Sequence, residues 1–409
     1  MNNQRFLLSS IVFFCSIVQL FPCTTALVSG KATKDGRPLL LKNRDADELQ
    51  NKLMYFSDGK YRYIGLVNSS DSTGKEVWGG YNSTGFAIMN SASYNLKRND
   101  TTVLSDQEGV IMKLALQYCA SLSDFEHLLD TLAKPFGVEA NFGVIDALGG
   151  GAYYETDNFR YTKYDVNDPS VAPDGYLLRT NYSVCGIEDK GAGYIRFNTE
   201  ETLFKETYAK GKFTYRFLIE TVPHHLKHSL TKTDLSMILP NDTTDTHFVP
   251  FQDFIPRTST SAAILIQGVK NHEQPLLTTM WTILGFPLTS IIIPVWIVQD
   301  GFLPPILVSD VRRIAPLCDV ALKLKGKLCP SHQGIGNKYL DVAFLQNRKK
   351  TGIRQQLIPV ENEILKQSEK YLSSWRKTGF NDADAGQFYH WVNEYVKKEY
   401  ERRLKISWQ

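Results

Sequence analysis

Apolar and polar positions divide the chain into a short leader, a strand-rich first half and a helical tail. Phe6–Phe21 is apolar except for Ser9, Ser10, Ser16 and Gln19, and the one charge ahead of it is Arg5. A basic start before a short apolar stretch is the pattern of a secretory signal; a membrane span would need roughly 20 apolar residues. Thr24–Ser29 and Pro38–Lys42 are apolar runs separated by the turn signal Lys34-Asp35-Gly36-Arg37, which predicts a hairpin. Further strands are expected at Tyr61–Val67 and Gly85–Asn90, with a second hairpin from Asn141–Asp146 and Ala152–Glu155 around Gly149-Gly150-Gly151. Helical periodicity marks Gly109–Ala120 and Asp124–Leu132, the latter with Ser123 as its expected cap. A helix is expected over Gly193–Tyr208 and two more between Phe213 and Leu239. Strands return at Ser261–Val269, Leu276–Leu284 and Thr289–Val298, and Glu361–Trp375 and Asp384–Leu404 read as two amphipathic helices. Strands and helices in blocks predict an α+β layered fold, not alternating βαβ units.

Composition narrows the function. With 43% hydrophobic and 12% aromatic residues the chain can bury a large core, and a formal charge of +3 gives no basic field for nucleic acid. Nucleic acid is therefore not an expected partner. Cys15 lies in the leader; Cys23, Cys119, Cys185, Cys318 and Cys329 follow. Export permits disulfides, and Cys318 with Cys329 is the plausible pair. No spacing reads as a zinc site, and no metal or cofactor is expected. Asn68, Asn82, Asn99, Asn181 and Asn241 each open an Asn-x-Ser/Thr sequon.

Three features have plain readings. Pro275–Gln299 carries no charge, yet it is rich in β-branched residues and broken by Gly285-Phe286-Pro287 and Pro294, so it reads as two buried strands and not as a span. Leu148-Gly149-Gly150-Gly151 lacks a following Lys-Ser/Thr and reads as a hairpin turn, not a phosphate cradle. His224, His225 and His228 lack a carboxylate partner and read as a solvated helix face, not a metal site.

Cys23 stands where the leader gives way to the first strand, and its residue type allows three roles: lipid anchor, structural thiol or nucleophile. The stretch Leu20–Pro22 is a poor lipoprotein box, and Leu20 and Pro22 also replace the small residues expected before a signal cleavage. A cysteine attacks as thiolate and needs a base. A chain that begins with cysteine carries one in its own α-amine, whose reference pKa is about 7.7–8.0. The hairpin's return strand ends in Lys42-Asn43-Arg44-Asp45, which brings a carboxylate and two cations back beside Cys23.

Cys23-Thr24-Thr25, Gly30–Gly36 and Leu41-Lys42-Asn43-Arg44-Asp45 resemble the start of mature N-terminal-nucleophile (Ntn) hydrolases. The similarity is to the choloylglycine hydrolases, the isopenicillin-N acyltransferase-like (carcinine hydrolase-like) proteins and the secreted dipeptidases that begin Cys-Thr-Thr. Gly79–Asn90 resembles the strand that ends in an oxyanion-binding asparagine. Asn141–Asp146 with Ala152–Glu155 resembles the acyltransferase-like hairpin, Arg179-Thr180-Asn181-Tyr182 the segment with a second asparagine, and Tyr194-Ile195-Arg196-Phe197 an arginine-bearing segment. The resemblance covers Cys23–Phe197 and implies an αββα four-layer sandwich: a signal peptide at 1–22, then one Ntn-hydrolase catalytic domain at 23–409.

Carried over, it implies Cys23 as nucleophile, its α-amine as base, Asp45 as the amine's holder, Asn90 and Asn181 as oxyanion donors and Arg196 as a charge-stabilising partner. Where the family has Arg-Asn-x-Asp this chain has Lys42-Asn43-Arg44-Asp45, so the arginine's part falls to Lys42 or to Arg44. Alternation puts those two on one strand face and Asn43 and Asp45 on the other. The expected function is an exported amidohydrolase that cleaves a linear, non-peptide C–N amide bond in a small molecule through an acyl-cysteine, with acyl transfer if an amine replaces water. The alternatives are a secreted cysteine-dependent dipeptidase and a lipid-anchored binding protein. No transmembrane helix is expected in the mature chain, and oligomeric state, acyl group and amine are not legible.

Overall fold

The computed structural model describes residues 23–97, 100–270, 272–333 and 338–408. The leader, and with it every expectation placed on 1–22, lies outside them. Among the described residues fifteen strands form: β1 (Thr24–Val28), β2 (Leu39–Asp45), β3 (Asn51–Phe56), β4 (Tyr63–Asn68), β5 (Gly79–Asn82), β6 (Ala87–Ala92), β7 (Ala140–Ile145), β8 (Gly151–Thr156), β9 (Tyr161–Asp165), β10 (Tyr176–Arg179), β11 (Phe248–Pro250), β12 (Thr260–Gln267), β13 (Thr279–Leu284), β14 (Ile293–Val295) and β15 (Tyr339–Asp341). The helices are α1 (Glu108–Tyr118), α2 (Leu122–Thr131), α3 (Tyr194–Tyr208), α4 (Pro316–Leu328), the short α5 (Val342–Leu345), α6 (Ile353–Thr378) and α7 (Asp382–Leu404).

Two antiparallel sheets carry the fold: a six-stranded one in the order β10-β1-β2-β12-β13-β14 and a seven-stranded one running β3 to β9 in sequence order. They face each other through β2 against β6 and β7, and β1 against β8. Leu27, Leu40, Met89 and Ile264 fill the space between them. The outer face of the seven-stranded sheet packs Phe86, Ile88, Phe142 and Tyr154 against Ile111, Met112 and Phe125 of α1 and α2. The core of the six-stranded sheet extends into α3, α4, α6 and α7. Helix, sheet, sheet, helix is the expected α+β sandwich with C-terminal helices.

Of Pro275–Gln299, the residues 277–298 are buried in β13, β14 and the turns around them, and no helix among the described residues is long and apolar enough to cross a membrane. Gly149 turns the β7–β8 hairpin at φ +87°. The cap of α2 is Ser121, two residues before the expected one, because its hydroxyl and the Asp124 carboxylate satisfy each other's backbone N–H groups. The pair of helices expected between Phe213 and Leu239 does not form. A single π turn, Phe217–Thr221, runs into a 3-10 turn at Val222–His224, and Pro223 has no N–H to continue a helix. The histidines therefore share no helix face. His224 sets both ring nitrogens against the carbonyls of Glu220 (2.9 Å) and Pro287 (3.1 Å), and His228 is buried against Phe254.

The expected Cys318–Cys329 disulfide is also absent; both thiols are free and buried. They lie in the first turn and at the C-cap of α4, roughly 16 Å apart at 1.5 Å rise per residue, whereas a disulfide needs Cα atoms within about 6.8 Å. Sequence proximity misled because the intervening residues are helical. Of the sequons, Asn82 and Asn181 are fully buried. Asn68 is half-buried, Asn241 is exposed, and Asn99 lies outside the described residues.

Candidate functional site

The site lies at the open end of the β1–β2 hairpin. Thr24 pairs with Asn43, and the register carries on to set Cys23 across from Arg44. In β1, Thr25 and Leu27 point between the sheets, toward Tyr153 and Gly151, so alternation turns Cys23 the same way. In β2 the same period sends Leu40, Lys42 and Arg44 between the sheets. Asn43 and Asp45 go to the other side, where Asn43 donates to the Ile255 carbonyl at 3.0 Å. Cys23 is buried, with Sγ 3.8 Å from the Asp45 backbone oxygen.

Both cations expected from sequence reach this space, and they do different things. Lys42 donates from Nζ to Asn90 Oδ1 at 2.6 Å and to the Trp78 carbonyl at 2.7 Å. Burial pulls its pKa down to about 8, opposed by the negative charge available at Cys23. Arg44 is held by Asn51 (2.5 Å), Asn68 (2.9 Å) and Ser261 (3.1 Å), and lies over the Trp78 indole at 5.0 Å. Burial pulls it down to about 10, again with Cys23 the largest opposing charge.

Lysine offers only donors, so the Asn90 amide must present its oxygen to Lys42 and its N–H pair elsewhere. Lys42 thus sets the orientation in which Asn90 can act as a donor. Asn181 is arranged similarly: its oxygen accepts from Arg196 Nη2 at 3.0 Å, while one of its N–H groups is already given to the Ala92 carbonyl at 2.7 Å. One N–H remains on Asn181 against two on Asn90.

Arg196, near the start of α3, is fully buried. Its Nη1 donates to the Cys23 carbonyl (2.7 Å) and to Thr24 Oγ1 (2.6 Å), so it fixes Cys23 and the start of β1 against Asn181. Burial lowers it to about 10, and Arg257 pushes the same way. The turn into α3 requires glycine. Gly193 has φ +83°, and a Cβ there would meet Arg196 Nη2 at 2.3 Å.

Asp45 is buried and bound on its own side of the sheet: Arg257 donates from Nε (3.0 Å) and Nη2 (2.9 Å), and Thr260 from Oγ1 (2.5 Å). Arg257 and Trp78 escaped the sequence reading. Arg257 sits in an irregular loop before β12, where no periodicity assigns it a direction. Two further carboxyls were missed. Glu200, one helical turn beyond Arg196, is fully buried with neither oxygen hydrogen-bonded, and burial holds it well above the usual carboxylate range. Glu108, at the start of α1, is raised by burial to about 7. Burial thus works against the charged form of both carboxyls. Lys42, Arg44 and Arg196 converge on Cys23, and the Asp45 side chain is paired with a fourth cation, Arg257. Among the described residues no group of three or more His, Cys, Asp or Glu could hold a metal ion.

No family model and no curated protein matches this chain. Solved structures do. A Caenorhabditis elegans N-acylethanolamine-hydrolyzing acid amidase ortholog is similar at 15% identity and TM-score 0.37, over 49% of this chain and 87% of that one. A variant of conjugated bile acid hydrolase from Clostridium perfringens is similar at 14% identity and TM-score 0.29, over 45% of this chain and 57% of that one. Penicillin V acylase from Agrobacterium tumefaciens is similar at 10% identity and TM-score 0.35, over 67% of this chain and 86% of that one. The layers themselves are those expected from sequence: two antiparallel sheets packed face to face between helices, an α+β sandwich.

Proposed function

We propose that this chain is an exported N-terminal-nucleophile hydrolase of linear amides, active once the leader is removed and Cys23 is first. The observation that carries the reading is the surplus of buried positive charge around Cys23. Such an arrangement favours the negative charge of a tetrahedral intermediate.

The Cys23 thiolate attacks the amide carbonyl carbon, its proton having passed to the α-amine. The carbonyl oxygen becomes an oxyanion that accepts from Asn90 Nδ2 and from the free N–H of Asn181. The intermediate collapses as the C–N bond breaks; the leaving amine takes the proton from the α-ammonium, and Cys23 keeps the acyl group as a thioester. Water, deprotonated by the same α-amine, attacks the thioester and releases the carboxylic acid and the thiol. Lys42 and Arg44 divide the task of the family's single arginine. Lys42 orients Asn90, and Arg44 adds charge from a guanidinium whose own hydrogen bonds go to Asn51, Asn68 and Ser261.

N-terminal sequencing of the exported protein, together with hydrolysis of an N-acyl amino acid panel, tests the reading. A mature start at Cys23 and release of free amine are expected. A start at any other residue overturns the N-terminal-nucleophile mechanism.

A further inference from the structure

A groove of about 520 Å³ lies along the free edge of β3, between the Ser69–Ser72 turn and the segment 301–309. That volume is within the roughly 300–1,000 Å³ of small-molecule sites. Its walls are apolar: Met54 and Tyr55 on the strand, Phe302, Leu303 and Val308 opposite. Gly301 lets the facing segment close on β3, since a Cβ there would meet the Tyr55 ring at 2.5 Å.

Lys52 also lines the groove, and it is only 4% exposed. Its ammonium has three N–H groups, yet its hydrogen bond is a single 3.3 Å contact to the Ser69 carbonyl. No carboxylate among the described residues lies within ion-pair distance of it. Asp71 is near enough to favour the charged form, but its oxygens are taken by Thr73 and by the Glu76 amide. The Ser69 hydroxyl is buried without any partner. A buried cation lacking an anion and an unpaired hydroxyl beside it are each costly to keep. Lys52 gives a mainly apolar slot one cationic end.

We propose that this groove binds a single-chain amphiphile with an anionic head, a carboxylate or a phosphate monoester. The head completes the shell of Lys52, and the chain lies between β3 and segment 301–309. The site is separate from Cys23 and does not depend on the catalytic reading. It adjoins the active site through Asn51 and Asn68, which flank Lys52 and Ser69 in sequence and hold Arg44.

Titration calorimetry of the purified full chain with octanoate, decanoate and decyl phosphate, each below its micelle concentration, tests it. Saturable one-site binding is expected, tightening about fourfold for each added CH₂. Lys52→Met should weaken it tenfold or more, and Val308→Arg, which fills the groove from the exposed side, should abolish it. A carboxylate that binds while the phosphate does not, or the reverse, identifies the head group. Absence of saturable binding overturns the proposal, as does unchanged affinity in a folded Lys52→Met protein or equal binding of decyltrimethylammonium. Val308→Arg with wild-type affinity overturns it even if Lys52→Met does not fold.

Discussion

The two ends of the β1–β2 hairpin carry buried charge in opposite states. At the turn, Arg37 is clamped by Asp35 (3.0 Å) and by both oxygens of Glu273, and Gln267 ties Asp35 to Trp281. One guanidinium meets two carboxylates there, and every partner is used. At the open end, Lys42, Arg44 and Arg196 converge on Cys23 while Asp45 is bound to Arg257. The same hairpin thus ends in a saturated cluster at one side and in an unbalanced one at the other. A saturated cluster holds the fold. An unbalanced one is costly to keep and becomes favourable only when negative charge appears, as on an oxyanion.

The sharpest way to break this contrast is to leave the thiol and remove the base. In mature protein, one alanine added ahead of Cys23 turns the α-amine into an amide nitrogen. Hydrolysis should fall nearly to background while the melting temperature holds. Full activity in the extended protein, with its mass showing the alanine intact, would falsify the mechanism.

Next in size is the oxyanion donor. Asn90→Ala should lower kcat by roughly 10²–10³ with little change in KM, the scale of one lost preorganised donor. Asn181→Ala should cost less, because one of its N–H groups already serves Ala92. Steady-state kinetics that rank the two the other way would reassign the oxyanion.

A smaller effect sharpens the division between the two cations. Lys42 is lowered to about 8, so it is charged below that pH and loses its proton as pH rises through it. Activity should therefore show an alkaline limb near 8. Arginine keeps its proton to higher pH, and equally buried Arg44 falls only to about 10. Lys42→Arg should move the limb upward by about a unit or more in a pH–rate profile. An unmoved limb would assign it to another group.

The smallest expected effect on turnover comes from the saturated end. Arg37→Met leaves Glu273 and Asp35 uncompensated and should cost roughly 2–3 kcal/mol in denaturant unfolding, less than a fully buried pair because Asp35 is 37% exposed. In the folded fraction kcat/KM should be unchanged.

What could be read from sequence follows the same division. Lys42, Arg44 and Asp45 sit on a regular strand and Cys23 directly precedes another, so a period of two fixes which side chains share a face, and the motif order pointed to Asn90 and Asn181. Arg257 could not be read, because it reaches Asp45 from a loop more than 200 positions away that has no period. Glu200 looked like any polar residue on a helix surface; its burial depends on what packs over α3. The failures between Phe213 and Leu239 and at Cys318 are of one kind. Local spacing was taken for geometry where backbone conformation, a proline in one case and a helix in the other, decided otherwise.

The burial of Asn82 and Asn181 has a consequence for a cell that attaches glycans to secreted chains. Asn82 donates both N–H groups to the carbonyls of Leu116 and Cys119, and its oxygen accepts from the Thr84 hydroxyl; Asn181 is locked between Ala92 and Arg196. A sugar on either nitrogen excludes the native packing around it. Glycan occupancy at these two sequons would then record time spent unfolded during secretion: a chain that folds promptly hides them, and one that lingers is permanently marked.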